Sequence, residues 1–279
     1  MSLMSKLSAT MLISVSLFAA SNDEVETFLK NSLSKNPTVT SLEVKVVERA
    51  PLEGMNGWDS FIVSLQAMVK QGKEEREYKQ RAIYFANDKV ITSELTDLKT
   101  GKNLRDSVAP KFKAEYYKKS NLVYGNENAE HKVAIFSDPL CPFCRNYVPG
   151  ALEYMKAHPE TFAVYYYHLP LERLHPAAPT LTRAAIASEL QGRKDVLLSL
   201  YNVPTTITRE KDEQKILDAF NKAANTNLKV SDIHSPMVDA QVSEDMEIVQ
   251  NLMVGGTPTV YFDGVKDADK NRYKEVKVK

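Results

Sequence analysis

The sequence predicts two layered domains: a small α+β unit over residues 22–106 and a larger α/β unit over 122–279, joined by a linker helix at 107–121. Three observations carry this. A helical stripe followed by segments of strand character fills positions 25 to 92. A later stretch runs strand, helix, strand, helical block, strand, which is the order of an α/β layer fold. The only two cysteines in 279 residues, Cys141 and Cys144, stand where the first strand of that second unit meets its helix.

The elements come in order. Lys6 precedes "LSATMLISVSLFAAS", and acids begin at Asp23 and Glu24. A basic start, an apolar middle and a small-residue end are the order of a cleavable secretory signal, expected here at 1–21, with cleavage between Ala19 and Asn22. The run falls short of the roughly 20 apolar residues that a membrane span needs, which leaves a buried helix or an uncleaved anchor as the alternative. An exported, soluble protein is the expectation. Val25, Phe28, Leu29 and Leu33 then form a helical stripe. Leu42, Val44 and Val46 alternate with Glu43 and Lys45, Trp58–Val69 is rich in aromatic and β-branched residues, and Tyr78–Phe85 and Val90–Thr92 come after turns at Gly72 and Asn87-Asp88. One helix on a meander makes a thin core, and such small units often lean on a partner.

In "APKFKAEYYKKSNLVYGN", Pro110 can open a helix and Phe112, Tyr116 and Tyr117 give a partial stripe, so a linker helix is expected, with a solvated loop as the alternative. Val133–Phe136 reads as a buried strand and Ser137–Leu140 as a turn. Val148, Leu152 and Met155 recur at helical spacing behind the cysteines. "TFAVYYYHL" (161–169) is a second strand, with Tyr165, Tyr166 and Tyr167 packing on both faces. Three helical patterns fill 178–253, centred on Ala184–Leu190, Ile216–Phe220 and Val238–Met253, and "GGTPTVYFDGV" closes with a turn, a strand and another turn. The histidines read mostly as loop and turn residues.

Composition narrows the function. Hydrophobic residues at 43% and charged residues at 26% describe a globular chain with a substantial core. Lys plus Arg equals Asp plus Glu at 36 each, so no net field draws nucleic acid. A structural disulfide gains most by closing a long loop, and a bridge across Pro142 and Phe143 closes almost none. A structural zinc would need a second short-spaced Cys or His pair, and His131, His158, His168, His175 and His234 include none, so no metal is expected. Redox chemistry remains. A strand feeding a helix start puts Cys141 where unpaired N–H groups and the helix dipole favour an anion, and the thiolate is the attacking species. Pro142 suits the first helical turn. Cys141 is expected to be accessible, and Cys144, one turn inward, to be the buried resolving thiol. Asp138 either tunes the thiol or, more simply, caps the turn.

"CPFC" after an apolar strand, with "GGTPTVYFDG" far downstream, resembles the thioredoxin-fold disulfide-exchange proteins of bacterial envelopes, the Dsb group. The resemblance implies a redox-active Cys141–Cys144 disulfide tuned by Pro142 and Phe143. It also implies a cis-proline loop at Thr257-Pro258 that faces the cysteines and binds substrate, and no cofactor. "LHPAAP" and "AAIASELQGRKDVLLSLYN" look like the helical insertion of DsbA-type members, here about 170–253. The added amino-terminal unit resembles the dimerisation domains of DsbC and DsbG, and Thr257 before the proline matches them too, although the central dipeptide Pro-Phe lacks both the His of DsbA and the Gly-Tyr of DsbC. Taken together, the resemblance implies a periplasmic homodimer acting as disulfide isomerase or reductase on unfolded or misdisulfided secreted proteins, with a membrane redox partner. A net oxidase and a chaperone-like dimer that binds unfolded chains stay open as alternatives.

Overall fold

Residues 20–72, 74–101 and 103–279 are described by a computed structural model. The signal expected at 1–21 lies outside the described residues apart from Ala20 and Ser21. The chain forms two compact units, one ending at Val108 and the other starting at Ala109.

In the first unit, α1 (Asn22–Leu33) starts at a capping box: the Ser21 hydroxyl accepts from the Glu24 N–H, and the Glu24 carboxylate accepts from the Ser21 N–H at 2.7 Å. Strands β1 (Val39–Pro51), β2 (Asp59–Gln71), β3 (Glu74–Ala86) and β4 (Ile91–Thr92) form an antiparallel sheet in sequential order. The register pairs Val46 with Val63 and Phe61 with Tyr84, which puts one apolar set on one face. Val25 and Leu29 of α1 bury against Val44, Val46, Phe61, Val63 and Leu65 of that set. Three 13-residue strands outrun a 12-residue helix, because a strand rises about twice as far per residue. Leu33, Val39, Leu42, Leu65, Ala67 and Val69 consequently line a groove of about 380 Å³ near the end of α1.

The second unit corrects the expected linker helix. Residues 107–121 hold no α-helix. They run as irregular chain with short 3-10 turns at Leu104–Val108, Ala114–Tyr116 and Lys119–Asn121. The aromatic residues that suggested a helical stripe are drawn onto the sheet instead. The Phe112 N–H donates to the Gly264 carbonyl at 2.8 Å, its ring sits 5.6 Å from those of Tyr167 and Tyr261, and the Tyr167 hydroxyl donates to the Tyr116 carbonyl. Backbone groups used this way leave no i→i−4 ladder. The compact unit thus takes in residues from 109 onward, ahead of the expected start at 122.

The sheet has the order β5-β7-β6-β8-β9: β5 (Leu122–Tyr124), β6 (His131–Ser137), β7 (Phe162–His168), β8 (Thr259–Phe262) and β9 (Val265–Lys266). β6 and β7 run parallel across the crossover helix α2 (Pro142–Lys156), and the other pairs are antiparallel. Val133, Ile135 and Tyr166 face α2 and the insertion, while Ala134, Phe136, Tyr165 and Tyr167 face the opposite core. The three tyrosines therefore do pack on both faces. The insertion holds α3 (Ala178–Leu190), α4 (Val196–Leu200), α5 (Glu213–Ala224), α6 (Val230–Ile233) and α7 (Pro236–Asn251). Helices α4 and α6, at 5 and 4 residues, are too short to show a period. His158, His175 and His234 lie in loops and turns, while His131 and His168 lie on strands, so the histidines are mostly loop and turn residues as expected.

A buried polar knot ties these layers together. Asp245 on α7 is 1% exposed and accepts from Asn121 Nδ2 at 2.8 Å, Gln241 Nε2 at 2.9 Å and the His168 N–H at 3.1 Å. Burial outweighs these donors and pushes its carboxyl from 3.8 up to about 6. Burial of His168 works to lower its pKa, but Glu189 and Asp245 together raise it. Both groups hold protons in the folded state that the unfolded chain has released. The Asp245 contribution is therefore fully present below about pH 4 and is lost as pH rises through about 6, whereas that of His168 is fully present below 6.5 and is lost only at higher pH. Asp245→Asn should gain stability relative to the native protein over that window, by up to about 3 kcal/mol. Urea unfolding at pH 4, 5, 6 and 7 checks it, and a pH-independent difference would refute the assignment.

Candidate active site

β6 ends at Ser137, and the turn behind it is pinned by one residue. Asp138 is wholly buried; it accepts from the Leu140 N–H at 2.7 Å, the Leu171 N–H at 2.7 Å and His175 Nδ1 at 2.9 Å. Its carbonyl accepts from the Cys141 N–H at 3.2 Å. Of the two roles open to Asp138, the geometry shows the turn role, extended to holding the start of the insertion. Cys141 is the N-cap of α2, with φ −66° and ψ 123°, and Pro142 fills the first helical position. No side-chain hydrogen bond caps the helix there, so Cys141 sits at a helix end whose first N–H groups lack intrahelical partners.

Both cysteines are free thiols. Cys141 Sγ lies 3.6 Å from the carbonyl oxygen of Thr257, and the Thr257–Pro258 peptide bond is cis. The structure thus brings Cys141, Cys144, Thr257 and Pro258 together across 116 residues of chain. Cys141 is 5% exposed, less open than the sequence suggested, because the Thr257 loop covers its sulfur; Cys144 is 0% exposed. Phe143 points outward at 75% exposure, and Leu174 in the insertion is also exposed.

The two thiols are in different surroundings. Burial pushes the Cys144 thiol up to about 12, against weaker opposing pulls from the Ser137 hydroxyl and the Asp138 N–H, so it stays protonated at neutral pH. Ser137 Oγ is 2.7 Å from Tyr201 Oη, which is 2.7 Å from Tyr166 Oη, giving a buried hydroxyl chain beside Cys144. Sequence reasoning missed Tyr201, which no local signal marks, and His175, which stands out only as one residue of the "LHPAAP" motif. A dithiol of this kind can do one thing well: the outer sulfur attacks a disulfide and the inner one, held as a thiol, resolves it.

Over 149 residues, 51% of the chain, the sequence is 29% identical to a protein named Na(+)/H(+) antiporter NhaA 1 of Mycolicibacterium gilvum strain PYR-GCK, covering 23% of it. The same-named protein of Mycolicibacterium vanbaalenii is 26% identical over 151 residues, again with 23% of it covered. The chain spans about a quarter of the length of these curated relatives. Among the described residues no helix is long and apolar enough to cross a membrane. Similar solved structures include a thioredoxin-like oxidoreductase from Silicibacter pomeroyi DSS-3 (20% identity, 57% of this chain and 91% of that one, TM-score 0.46). The catalytic domain of Proteus mirabilis ScsC is another (19% identity, 57% and 91%, TM-score 0.44). A family model described as thioredoxin matches residues 117–278, more than half of the chain and the whole of the dithiol unit's sheet, and the protein belongs to the thioredoxin family.

Proposed function

We propose that this protein is a periplasmic thiol-disulfide oxidoreductase that works as a dimeric isomerase or reductase on misdisulfided secreted proteins. One observation carries the chemistry: Cys141 at the start of α2, 3.6 Å from the Thr257 carbonyl, with Cys144 wholly buried behind it. In reduction, the Cys141 thiolate attacks a client disulfide, forming a Cys141–client bond and releasing one client thiolate. Cys144 then loses its proton and attacks Cys141 Sγ, releasing the second client thiolate and leaving the Cys141–Cys144 disulfide. Two electrons pass from the enzyme dithiol to the client, and a membrane redox partner restores the dithiol. In isomerisation a second client thiol resolves the mixed disulfide, and no net electrons move. The backbone of Thr257, beside the attacking sulfur, suits main-chain pairing with many different clients.

The dimer reading rests on the first unit. Among the described residues its sheet leaves β1 as an unpaired edge, and the apolar groove of Leu42, Leu65, Ala67 and Val69 adjoins that edge. A second copy is the occupant that would cover both. Sedimentation of the full chain should then give a dimer, and Ala67→Glu in the groove should give a monomer. That monomer should keep insulin reduction but lose most rescue of scrambled ribonuclease, by roughly tenfold, as the two-site effective concentration disappears. A native monomer, or undiminished rescue by the variant, would leave a plain oxidoreductase. A truncation for the same purpose must begin at 109, because cutting at 122 removes Phe112 and Tyr116 from the core.

A further inference from the structure

Beside Cys141 the surface opens into a pocket of about 690 Å³, a size that takes a side chain and adjoining backbone. Leu140 and Pro142, the two chain neighbours of Cys141, line it on the reactive side; Leu174, His175, Arg145 and Arg209 line it elsewhere. No carboxylate lines it. Asp138, bonded to the lining His175, is fully buried and also engaged by the Leu140 and Leu171 N–H groups. Glu210, next to Arg209, is turned to the Lys211 and Asp212 N–H groups at 2.9 and 3.0 Å.

The two guanidiniums differ from those of Arg183 and Arg193 in the same unit, and share with Arg173 and Arg272 the lack of a carboxylate ion pair among the described residues. Arg183 pairs with Asp239 at 2.7 Å and Arg193 with Asp195 at 2.9 Å. Arg145, half-buried, donates Nη1 to the Pro139 carbonyl at 3.0 Å, and Arg209 is exposed. Among the described residues neither Arg145 nor Arg209 pairs with a carboxylate. Guanidinium groups bind carboxylates through paired N–H donors, and here two of them border an apolar cavity next to the attacking sulfur.

We propose that this pocket is a subsite for an acidic side chain of the client polypeptide, one or two residues from the cysteine under attack. The proposal rests on the oxidoreductase reading above and adds the sequence preference. Thr257 does not line the pocket, so a client chain pairing with that residue leaves the pocket free for a side chain. A partly exposed ion pair gives a preference, not an absolute requirement, and it acts on encounter as well as affinity.

The test uses the full chain in its dithiol form and two disulfide-linked peptide dimers, identical except for Glu or Gln two residues from the cysteine. The rate of peptide reduction is read as a Glu-to-Gln ratio. The native protein should favour the Glu peptide about fivefold at low salt, with the ratio shrinking as salt rises. Arg209→Gln should bring the ratio to near twofold and Arg209→Glu should invert it. Lys222→Gln, on exposed surface of α5, should keep the native ratio. A native ratio of one, or a ratio untouched by Arg209→Glu, overturns the subsite. Preference for glutathione disulfide over its ester without preference for the Glu peptide overturns the assignment to client chains. If neither peptide reacts at Cys141 at all, the oxidoreductase reading falls and the subsite with it.

Discussion

Cys141→Ser should abolish disulfide exchange, while Cys144→Ser should keep the first half of the reaction and lose the second. A serine hydroxyl at the start of α2 is not ionised at neutral pH and cannot attack sulfur, so insulin reduction should fall by roughly a thousandfold or more. With Cys144 replaced, the Cys141–client disulfide forms but no internal thiol resolves it. Mixed disulfides should then accumulate and be visible by intact mass. In the native protein the protonated, fully buried Cys144 should be the slower thiol toward iodoacetamide, and Cys141, 5% exposed at the helix start, the faster. Mapping the first alkylated residue by peptide mass decides the roles. Modification of Cys144 first, or trapping by Cys141→Ser and not by Cys144→Ser, would reverse them.

What the sequence made legible was whatever depends on neighbours in the chain. A strand run ending in a turn and a two-residue cysteine spacing mark the Cys141 helix start without any tertiary knowledge. The alternation of Leu42, Val44 and Val46 shows one buried face in the same way, and 'GGTP' marks a loop. What stayed hidden depends on distant partners. Phe112, Tyr116 and Tyr117 carry a spacing that a helix and a strand-edge wrap both satisfy, and only the aromatic face of Phe136, Tyr167 and Tyr261 decides for the wrap. Strand β5, three residues long, is too short for a period and exists because β7 offers it an edge. The hydroxyl chain from Ser137 to Tyr201 joins residues 64 apart, and the Asp138–His175 contact joins residues 37 apart. The cover that Thr257 lays over Cys141 is of the same kind: the motif places the loop facing the cysteines, but not how much of the sulfur it hides.

Asp138→Ala should destabilise the dithiol unit by about 3–5 kcal/mol, the cost of removing the shared acceptor from a buried hydrogen-bonded cluster of three donors. The carboxylate is 0% exposed and each of its oxygens is engaged, Oδ1 by the Leu140 N–H and Oδ2 by both the Leu171 N–H and His175 Nδ1. Alanine leaves two backbone donors and an imidazole without a partner, and no side chain replaces the lost volume. Asp138→Asn keeps the size and one acceptor oxygen but turns an NH2 group toward donors. It should fall between, at about 1–3 kcal/mol. In a unit of this size the alanine variant should melt roughly 6–20 °C lower. The loss should also reach the chemistry, since the same carboxylate fixes the turn that presents Cys141 and the Leu171–His175 segment beside it. Below the melting range, Asp138→Ala should therefore reduce peptide disulfides more slowly than Asp138→Asn does, with Cys144 more open to alkylation. Calorimetry with alkylation mapping on the two variants decides it. An alanine variant within about 1 kcal/mol of the native protein, or one as fast as the asparagine variant, would show that the turn holds without this carboxylate.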